Sequence, residues 1–330
     1  MSAPLAPLLQ RFFTERLTTQ RQASPHTISA YRDTFRLLLR FARTRCGKSP
    51  SALQLDDLDA DSIAAFLTAI EVERQATVRT RNARLTAIRS FFQFASYQEP
   101  TLAAHIQQVL SIPYKRQPRP QVAFLTPAEV DALVEAPDPS TWHGRRDRVL
   151  LSLAVQTGLR VSELTGLHRS DVHVGAGAHV RCQGKGRKER CTPLGPSIVA
   201  LLRAWLAEPT PGDSAVLFPN ALGGRLSSDS VQHMVRRYAR RAAGRCPSLA
   251  SKRVSPHVLR HSTAMTLLAA GVDSSVIALW LGHESVNTTQ IYLHAHLGLK
   301  EAALARTAPS GARPGRYRPD DRLLQFLNEL

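Results

Sequence analysis

The segment SIPYKRQPRPQVAFLTP, residues 111–127, constrains the fold more than any other stretch of the chain. It holds four prolines and shows neither the period of a helix nor the alternation of a strand. Proline has no backbone N–H to donate, so this segment cannot continue a helix or a central strand. We therefore predict an extended linker at residues 113–125 between two separately folded domains, for which 330 residues are sufficient.

Residues 1–112 predict a helical domain. Ser24 is a candidate N-cap with Pro25 at the first helical position, and apolar residues then recur at helical spacing. A second helix is predicted from about 59 to 73. A third is predicted over residues 77–97, TVRTRNARLTAIRSFFQFASY, whose apolar side chains share one face.

Residues 126–308 predict a second domain with a different pattern. Thr126 followed by Glu129 three residues later forms a capping box, and an apolar helix ends at Gly158. The period becomes strand-like over 171–194, where two glycines in QGKGRKER indicate a hairpin turn. Further helices are predicted at about 196–207, 227–242, 256–270, 273–281 and 286–295.

The last segment, residues 309–330, predicts a hinged tail. Its first part is rich in proline, arginine and glycine, and it ends in DRLLQFLNEL, whose apolar residues form a stripe at helical spacing. A short apolar helix beyond a hinge has to pack on another surface, either on its own domain or on a neighbouring protomer.

The charge balance indicates a polyanionic partner. The chain has 43 Lys and Arg against 26 Asp and Glu, a net charge of +17, which favours nucleic acid first and an anionic membrane surface second. A hydrophobic content of 43% is too high for a disordered chain. We therefore expect a folded basic protein.

Nothing in the sequence predicts a membrane span or export. No apolar run approaches the roughly 20 residues that a spanning helix needs, and MSAPLAPLLQRFF does not read as a signal peptide. Cys46, Cys182, Cys191 and Cys246 form no CxxC pair and suit a reducing cytosol. Cys182 and Cys191 could lie close across the hairpin, but we interpret each as a small buried thiol.

Arg160 and Lys185 are the first polar candidates for chemistry. Arg160 lies in the core-like segment TGLRVSEL and therefore needs an anionic partner, for which Glu163 is the nearest acid. On that fragment alone a structural ion pair is the favoured interpretation. Lys185 lies between two glycines that permit a close backbone approach, although an exposed hairpin tip would have the same sequence.

The segment PHVLRHS carries His257 and His261 four residues apart, on one helical face. A zinc site would need a Glu beside the first His, and HVLRH has Val there. Arg260 and a helix N-terminus favour an anion such as phosphate instead. We interpret His261 as a buried packing histidine and assign no metal.

The segment LGHESVNTTQIYLHAH adds His283 and Tyr292. Tyr292 on an amphipathic helix is commonly half core and half surface. A nucleophilic tyrosine would need a positive site that favours the phenolate and binds the attacked phosphate.

Basic residues outside these motifs are candidate DNA contacts. Three arginines early in one helix indicate either a solvated face or phosphate contacts, and a basic linker could cross a DNA backbone. These candidates are Arg79, Arg81, Arg84, Lys115, Arg116 and, in the hairpin, Arg187.

Together the polar groups form one set of two arginines, two histidines, one lysine and one tyrosine. Such a set supplies the charge, proton transfer and nucleophile that phosphoryl transfer requires without a metal. In chain order its members are Arg160, Lys185, His257, Arg260, His283 and Tyr292.

Their order and spacing strongly resemble the tyrosine recombinases, the family of phage integrases and of bacterial recombinases that resolve chromosome dimers. TGLRVSEL resembles the first-arginine motif, GKGRKER the hairpin lysine motif, and HVLRH the His-x-x-Arg motif, with Tyr292 nine residues after His283. The resemblance implies a mostly α fold, with a helical SAM-like core-binding domain and an α+β catalytic domain that has a small antiparallel sheet. The tail beyond Tyr292 looks longer than in compact members.

The resemblance also implies a role for each residue. Tyr292 would attack a DNA phosphodiester, leaving a 3′-phosphotyrosyl link and a free 5′-hydroxyl. Arg160, supported by Glu163, and Arg260 would bind the non-bridging oxygens, where charge develops.

The remaining members would transfer protons or bind the phosphate. Lys185 would protonate the leaving 5′ oxygen, His257 would accept a proton near Tyr292, and His283 would donate a hydrogen bond to the phosphate. The arginines and the lysine would neutralise the charge, so no cofactor is implied.

The expected partner is double-stranded DNA with inverted-repeat sites, bound by a homotetramer in which residues 323–330 pack on an adjacent protomer. The sequence leaves open whether sister recombinases share the complex, and the expected location is the cytoplasm, at the nucleoid. The long tail favours a mobile-element enzyme over a dimer resolvase. A type IB topoisomerase and a non-catalytic DNA-binding protein remain as alternatives.

Overall fold

The computed structural model describes residues 3–117, 122–184, 189–282 and 289. The chain divides into two compact units, Met1–Pro120 and Gln121–Leu330. The division falls inside the segment for which a linker is predicted, although the exact limits of linker, domains and tail stay predictions. Apart from residue 289, the helix predicted at 286–295 lies outside the described residues, as does the tail at 309–330.

The N-terminal unit is helical, as predicted. Its long helices begin at side-chain caps: Ser24 accepts from the Thr27 N–H, Asp59 from that of Ser62, and Thr77 from that of Thr80. Short 3₁₀ turns lie between the helices, and a π-helical stretch, Phe12–Gln20, continues the first. The helices are α1 Leu5–Arg11, α2 Pro25–Cys46, α3 Ala60–Val72, α4 Val78–Gln98 and α5 Ala103–Ser111.

Aromatic side chains fill the centre of this unit. Phe12, Phe35 and Phe91 are at most 2% exposed, and their ring centroids lie 5.3–6.2 Å apart in edge-on arrangements. They come from the π-helical stretch, α2 and α4, so each helix contributes one apolar face to a common core.

The second unit combines helices with a three-stranded antiparallel sheet of order β1-β2-β3. In the hairpin, Cys182 pairs with Arg190 and Gln183 with Glu189. The strands are β1 Val172–His173, β2 His179–Gln183 and β3 Glu189–Pro193. The helices are α6 Pro127–Glu135, α7 Trp142–Thr157, α8 Val161–Gly166, α9 Pro196–Ala207, α10 Ser228–Ala242, α11 Pro256–Ala269 and α12 Ser274–Leu281.

A large apolar core, which includes Leu150, Leu202 and Trp205, joins α6–α10 and the sheet. A smaller cluster, which includes Met265, Ile277 and Leu281, packs α12 against α11. These two cores place the ends of α7, α8, α11 and α12 around one region, where the candidate site lies. None of the described helices is both long and apolar enough to cross a membrane.

The cysteine predictions are partly confirmed. Cys182 is buried, and burial raises the pKa of its thiol to about 11, whereas Cys191 is exposed. Arg190 and not Cys191 is the residue opposite Cys182, and alternation along β3 turns Cys191 to the other face. The prediction that Cys191 is buried is therefore wrong.

A buried carboxylate stabilises the start of α6. Glu129 is 1% exposed; it accepts hydrogen bonds from the backbone N–H of Thr126, the hydroxyl of Ser248 and the ammonium of Lys252. Lys252 also donates to the carbonyl of Phe124. Burial alone would raise the pKa of Glu129, but these hydrogen bonds outweigh it and lower the pKa to about 2.

We expect Glu129→Gln to destabilise this unit by about 2–3 kcal/mol at neutral pH, because Lys252 loses its charged partner. The lowered pKa means that wild type keeps this contribution above pH 4.5 and loses it as pH falls towards 2. The difference in melting temperature between the two proteins should therefore shrink in acid. Glu135→Gln, at a mostly exposed position on the same helix, is the control; an equal loss in both variants would contradict the prediction.

Candidate active site

Arg160 lies where α7 ends and α8 begins. Gly158 ends α7 with a φ of 63°, and Arg160 follows in extended conformation. Its Nη1 donates to Glu163 Oε1 at 2.9 Å, and its backbone N–H donates to Oε2 at 2.7 Å. The predicted ion pair is confirmed. The Arg160 side chain nevertheless stays 35% exposed, so its charge also faces solvent.

Arg260, on α11, is 3% exposed. Its Nη1 donates to the Gly158 carbonyl at 2.7 Å and its Nη2 to the Leu281 carbonyl at 2.8 Å. Arg160 Nη2 in turn donates to the Gly282 carbonyl at 3.1 Å. Both guanidinium groups are thus held at the C-terminal ends of α7 and α12, whose last carbonyls carry partial negative charge.

Glu163 is shared between Arg160 and a third arginine, Arg190 on β3. Arg190 Nη1 donates to Oε1 at 3.1 Å and Nη2 to Oε2 at 2.8 Å. Burial opposes ionisation of the Glu163 carboxyl, but the hydrogen bonds from Arg190 and from Arg160 outweigh it and lower its pKa. Three arginines and one carboxylate leave this cluster with a net positive charge.

Arg190 was not among the predicted site residues. Alternation along the hairpin contains a signal for it, because Thr192 and Leu194, two and four residues further, are buried. A charged residue on the same face of a strand as buried neighbours needs a partner of opposite charge. That partner, Glu163, lies 27 residues earlier, so the sequence does not connect the two.

His257 and His261 share the first turns of α11, which Ser255 caps by accepting from the Val258 N–H. Their ring centroids are 4.2 Å apart at an interplanar angle of 65°. His257 is exposed and His261 is half-buried, so the prediction that His261 is a buried packing histidine is wrong. No group of three or more potential metal ligands occurs among the described residues.

Four predicted site residues, Lys185, Arg187, His283 and Tyr292, lie outside the described residues. The structure therefore brings together Arg160, Glu163 and Arg260 and places His257 on the same helix as Arg260. The predicted roles of all these residues stay predictions.

The candidate DNA contacts of α4 differ in exposure. Arg79 is exposed, and Arg84 is half-buried and donates to the Thr34 hydroxyl. Arg81 is 7% exposed and donates to the Pro113 carbonyl and the Asn82 side chain. The largely buried guanidinium of Arg81 therefore supports the interface between α4 and residue 113, and its role as a DNA contact stays a prediction.

The two linker candidates are exposed. Lys115 forms an ion pair with Glu71 at 2.7 Å while its side chain stays 53% exposed. Arg116 is exposed as well. Both remain candidate DNA contacts.

We expect Gly282→Ala to impair the site. Gly282 has a φ of 66°, and a Cβ atom there would lie 2.4 Å from Arg190 Nη1 and 3.0 Å from the Arg190 guanidinium carbon. Gly271→Ala is the matched control, because Gly271 also has a positive φ but no atom within 4 Å of the added Cβ. Both variants should lose about 1 kcal/mol of stability from backbone strain. Only Gly282→Ala should also slow DNA cleavage, and equal cleavage rates would contradict this account.

Comparison with known proteins identifies the family of this chain. Residues 123–297 match the phage integrase family, and residues 10–99 match the phage integrase N-terminal SAM-like domain. The chain belongs to the phage integrase family. It is a tyrosine recombinase, an enzyme that breaks and rejoins DNA.

Two relatives cover nearly the whole chain. One is the integrase/recombinase y4rC of Sinorhizobium fredii. It is 59% identical to this chain, and the match covers 99% of this chain and 99% of the y4rC sequence. The tyrosine recombinase XerC of Pelobacter propionicus is 33% identical over 94% of this chain and 99% of its own. Among solved structures, the XerH site-specific recombinase bound to a palindromic difH substrate has a TM-score of 0.67. At 24% identity, over 87% of this chain and 82% of that one, it shows the fold.

Proposed function

We propose that this chain is a site-specific recombinase that cuts and rejoins duplex DNA through a 3′-phosphotyrosyl intermediate. The observation that carries the proposal is the pair of arginines, Arg160 and Arg260, held by fixed partners at two adjoining helix ends. Such preorganised donors stabilise charge that develops on the non-bridging oxygens of a phosphate. Arg160 stays partly exposed, so it is open to a phosphate from solvent.

The nucleophile is Tyr292, which attacks the scissile phosphorus and displaces the 5′ oxygen. The phosphate ester on Tyr292 retains the bond energy, so a 5′-hydroxyl can reverse the attack without ATP. Lys185 donates the proton to the leaving oxygen, His257 accepts the proton of Tyr292, and His283 donates a hydrogen bond to the phosphate.

The enzyme acts as a homotetramer on sites with inverted repeats, in the cytoplasm at the nucleoid. Residues 323–330 pack on an adjacent protomer. A complex that includes a sister recombinase is the alternative to the homotetramer. Arg79, Arg84, Lys115 and Arg116 contact the DNA backbone, as does Arg187. The net charge of +17 supports this partner.

The biological role that we propose is integration, excision or transposition of a mobile element. The similarity to y4rC supports an integrase role. Dimer resolution is the second candidate, which the similarity to XerC of Pelobacter propionicus favours. Deleting the gene separates them: accumulation of chromosome or plasmid dimers would favour resolution, whereas loss of movement of the flanking DNA would favour the mobile element.

The chemistry is tested with DNA fragments that flank the gene. The protein is incubated with end-labelled fragments, stopped with detergent, and digested so that mass spectrometry can identify the modified tyrosine. A phosphate ester on Tyr292 with a free 5′-hydroxyl is the expected product. No adduct with any flanking fragment would favour a non-catalytic DNA-binding protein, and relaxation of supercoiled plasmid lacking a site would favour a type IB topoisomerase.

A further inference from the structure

Arg190 lies in the site but has no role in the chemistry proposed above. Its side chain is 13% exposed, and both terminal nitrogens donate to Glu163, at 3.1 and 2.8 Å. Its Nε is buried and has no hydrogen-bond partner among the described residues. Water therefore screens this cation only weakly, and low-dielectric surroundings strengthen its effect on nearby charges.

The position of Arg190 follows from the hairpin. It is directly opposite Cys182 on β2, whose side chain is buried on the inward face of the sheet. Gly282 makes room for the guanidinium, since a Cβ atom at that position would collide with it. The hairpin and the glycine together bring a second arginine to the carboxylate that holds Arg160.

Each oxygen of Glu163 accepts from both arginines. Oε1 accepts from Arg160 Nη1 and Arg190 Nη1, and Oε2 accepts from the Arg160 backbone N–H and Arg190 Nη2. The Glu163 side chain is 4% exposed, so water screens its charge little. If Arg190 were neutral, that carboxylate would cancel the charge of Arg160, the group that has to attract a phosphate.

We propose that Arg190 is a positioning residue that balances the charge of Glu163 and so leaves Arg160 positive towards the scissile phosphate. Glu163 then holds the Arg160 guanidinium in one orientation without neutralising it. This inference rests on the proposed function, because it requires Arg160 to bind the phosphate.

A double-mutant cycle between Arg190 and Glu163 tests the proposal. The readout is the rate of covalent adduct formation on a nicked substrate at saturating protein, with thermal unfolding as a check of folding. Arg190→Gln should slow adduct formation about 10–100-fold, less than loss of a direct donor. Arg190→Lys keeps the charge but not the bidentate fork, so it should be slower than wild type and at least about fivefold faster than Arg190→Gln.

The double variant Arg190→Gln with Glu163→Gln separates charge from structure. Removing both charges restores the net charge of the site, so the double variant should be faster than Arg190→Gln alone and within about tenfold of wild type. A merely structural Arg190 predicts the reverse, since the double variant would lose further contacts. Arg181→Gln is the control, because Arg181 lies on the same hairpin with a 54% exposed side chain and should stay at the wild-type rate.

Several outcomes would overturn the proposal. Arg190→Lys as slow as Arg190→Gln, or a double variant as slow as the slower single variant, would show that charge balance is not its role. If Arg190→Gln does not fold, the lysine variant and the double variant still decide. If the wild-type protein forms no covalent adduct, the proposed function itself is refuted. If wild type and Arg190→Gln form adduct at the same rate, only the role of Arg190 is refuted.

Discussion

Tyr292→Phe is expected to abolish covalent adduct formation, lowering it more than about 1,000-fold, while DNA binding stays within about threefold of wild type. The substitution removes the oxygen that would bond to phosphorus and little else. The assay uses a nicked DNA site on which the released 5′ fragment diffuses away, so that the adduct accumulates. Gel shift at the same protein concentration measures binding.

A matched tyrosine makes the result specific. Tyr97 is 68% exposed at the end of α4, and Tyr97→Phe should form adduct at the wild-type rate. An adduct that persists in Tyr292→Phe would assign the nucleophile to another residue. Peptide mapping of that adduct would then identify it.

Local features of the fold could be predicted because their partners lie within four residues. The caps at Ser24 and Thr126 and the helix end at Gly158 depend on hydrogen bonds over that distance, and all three are confirmed. The sequence pattern changes from helical to strand-like over residues 171–194, and this change likewise predicted the hairpin.

The contacts between the arginines and their carbonyl partners could not be predicted in this way. Arg260 donates to Gly158, 102 residues away, and Arg160 to Gly282, 122 residues away. Both carbonyls belong to glycines, whose sequence signal indicates only that a helix ends there. Which helix ends meet is decided by packing of the whole unit.

The sequence also did not predict which charged side chains are buried. Arg81 has the same sequence context as Arg79, yet it is buried because its guanidinium donates to the Pro113 carbonyl, 32 residues later. Arg190 is half-buried beside an acid on a different element. In both cases an arginine that is typical of a solvated surface has a partner that sequence spacing does not reveal.

Arg260→Ala is the second large effect, with adduct formation expected to fall at least about 1,000-fold. Arg260 is almost completely buried, so truncation removes a preorganised cation and also leaves the Gly158 and Leu281 carbonyls without these donors. We therefore expect a loss of stability of about 1–3 kcal/mol beside the loss of chemistry. Melting temperature and cleavage rate must be measured on the same preparation.

Arg260→Lys separates these two consequences. The lysine keeps the positive charge, but its single ammonium group cannot reproduce the planar fork that serves two carbonyls. It should recover part of the stability and still cleave about 100-fold more slowly than wild type. Arg245→Ala, at an arginine with a 75% exposed side chain on the same unit, should leave both quantities unchanged at saturating DNA.

The comparison with Arg160→Ala decides how the two arginines differ. Arg160 is 35% exposed, and Glu163 keeps a second partner when Arg160 is truncated, so that variant should lose chemistry with little loss of stability. Arg260→Ala should lose both, because its carbonyl partners are buried with it. A folded Arg260→Ala protein that binds DNA and cleaves within tenfold of wild type would remove Arg260 from the proposed mechanism and leave it a structural residue.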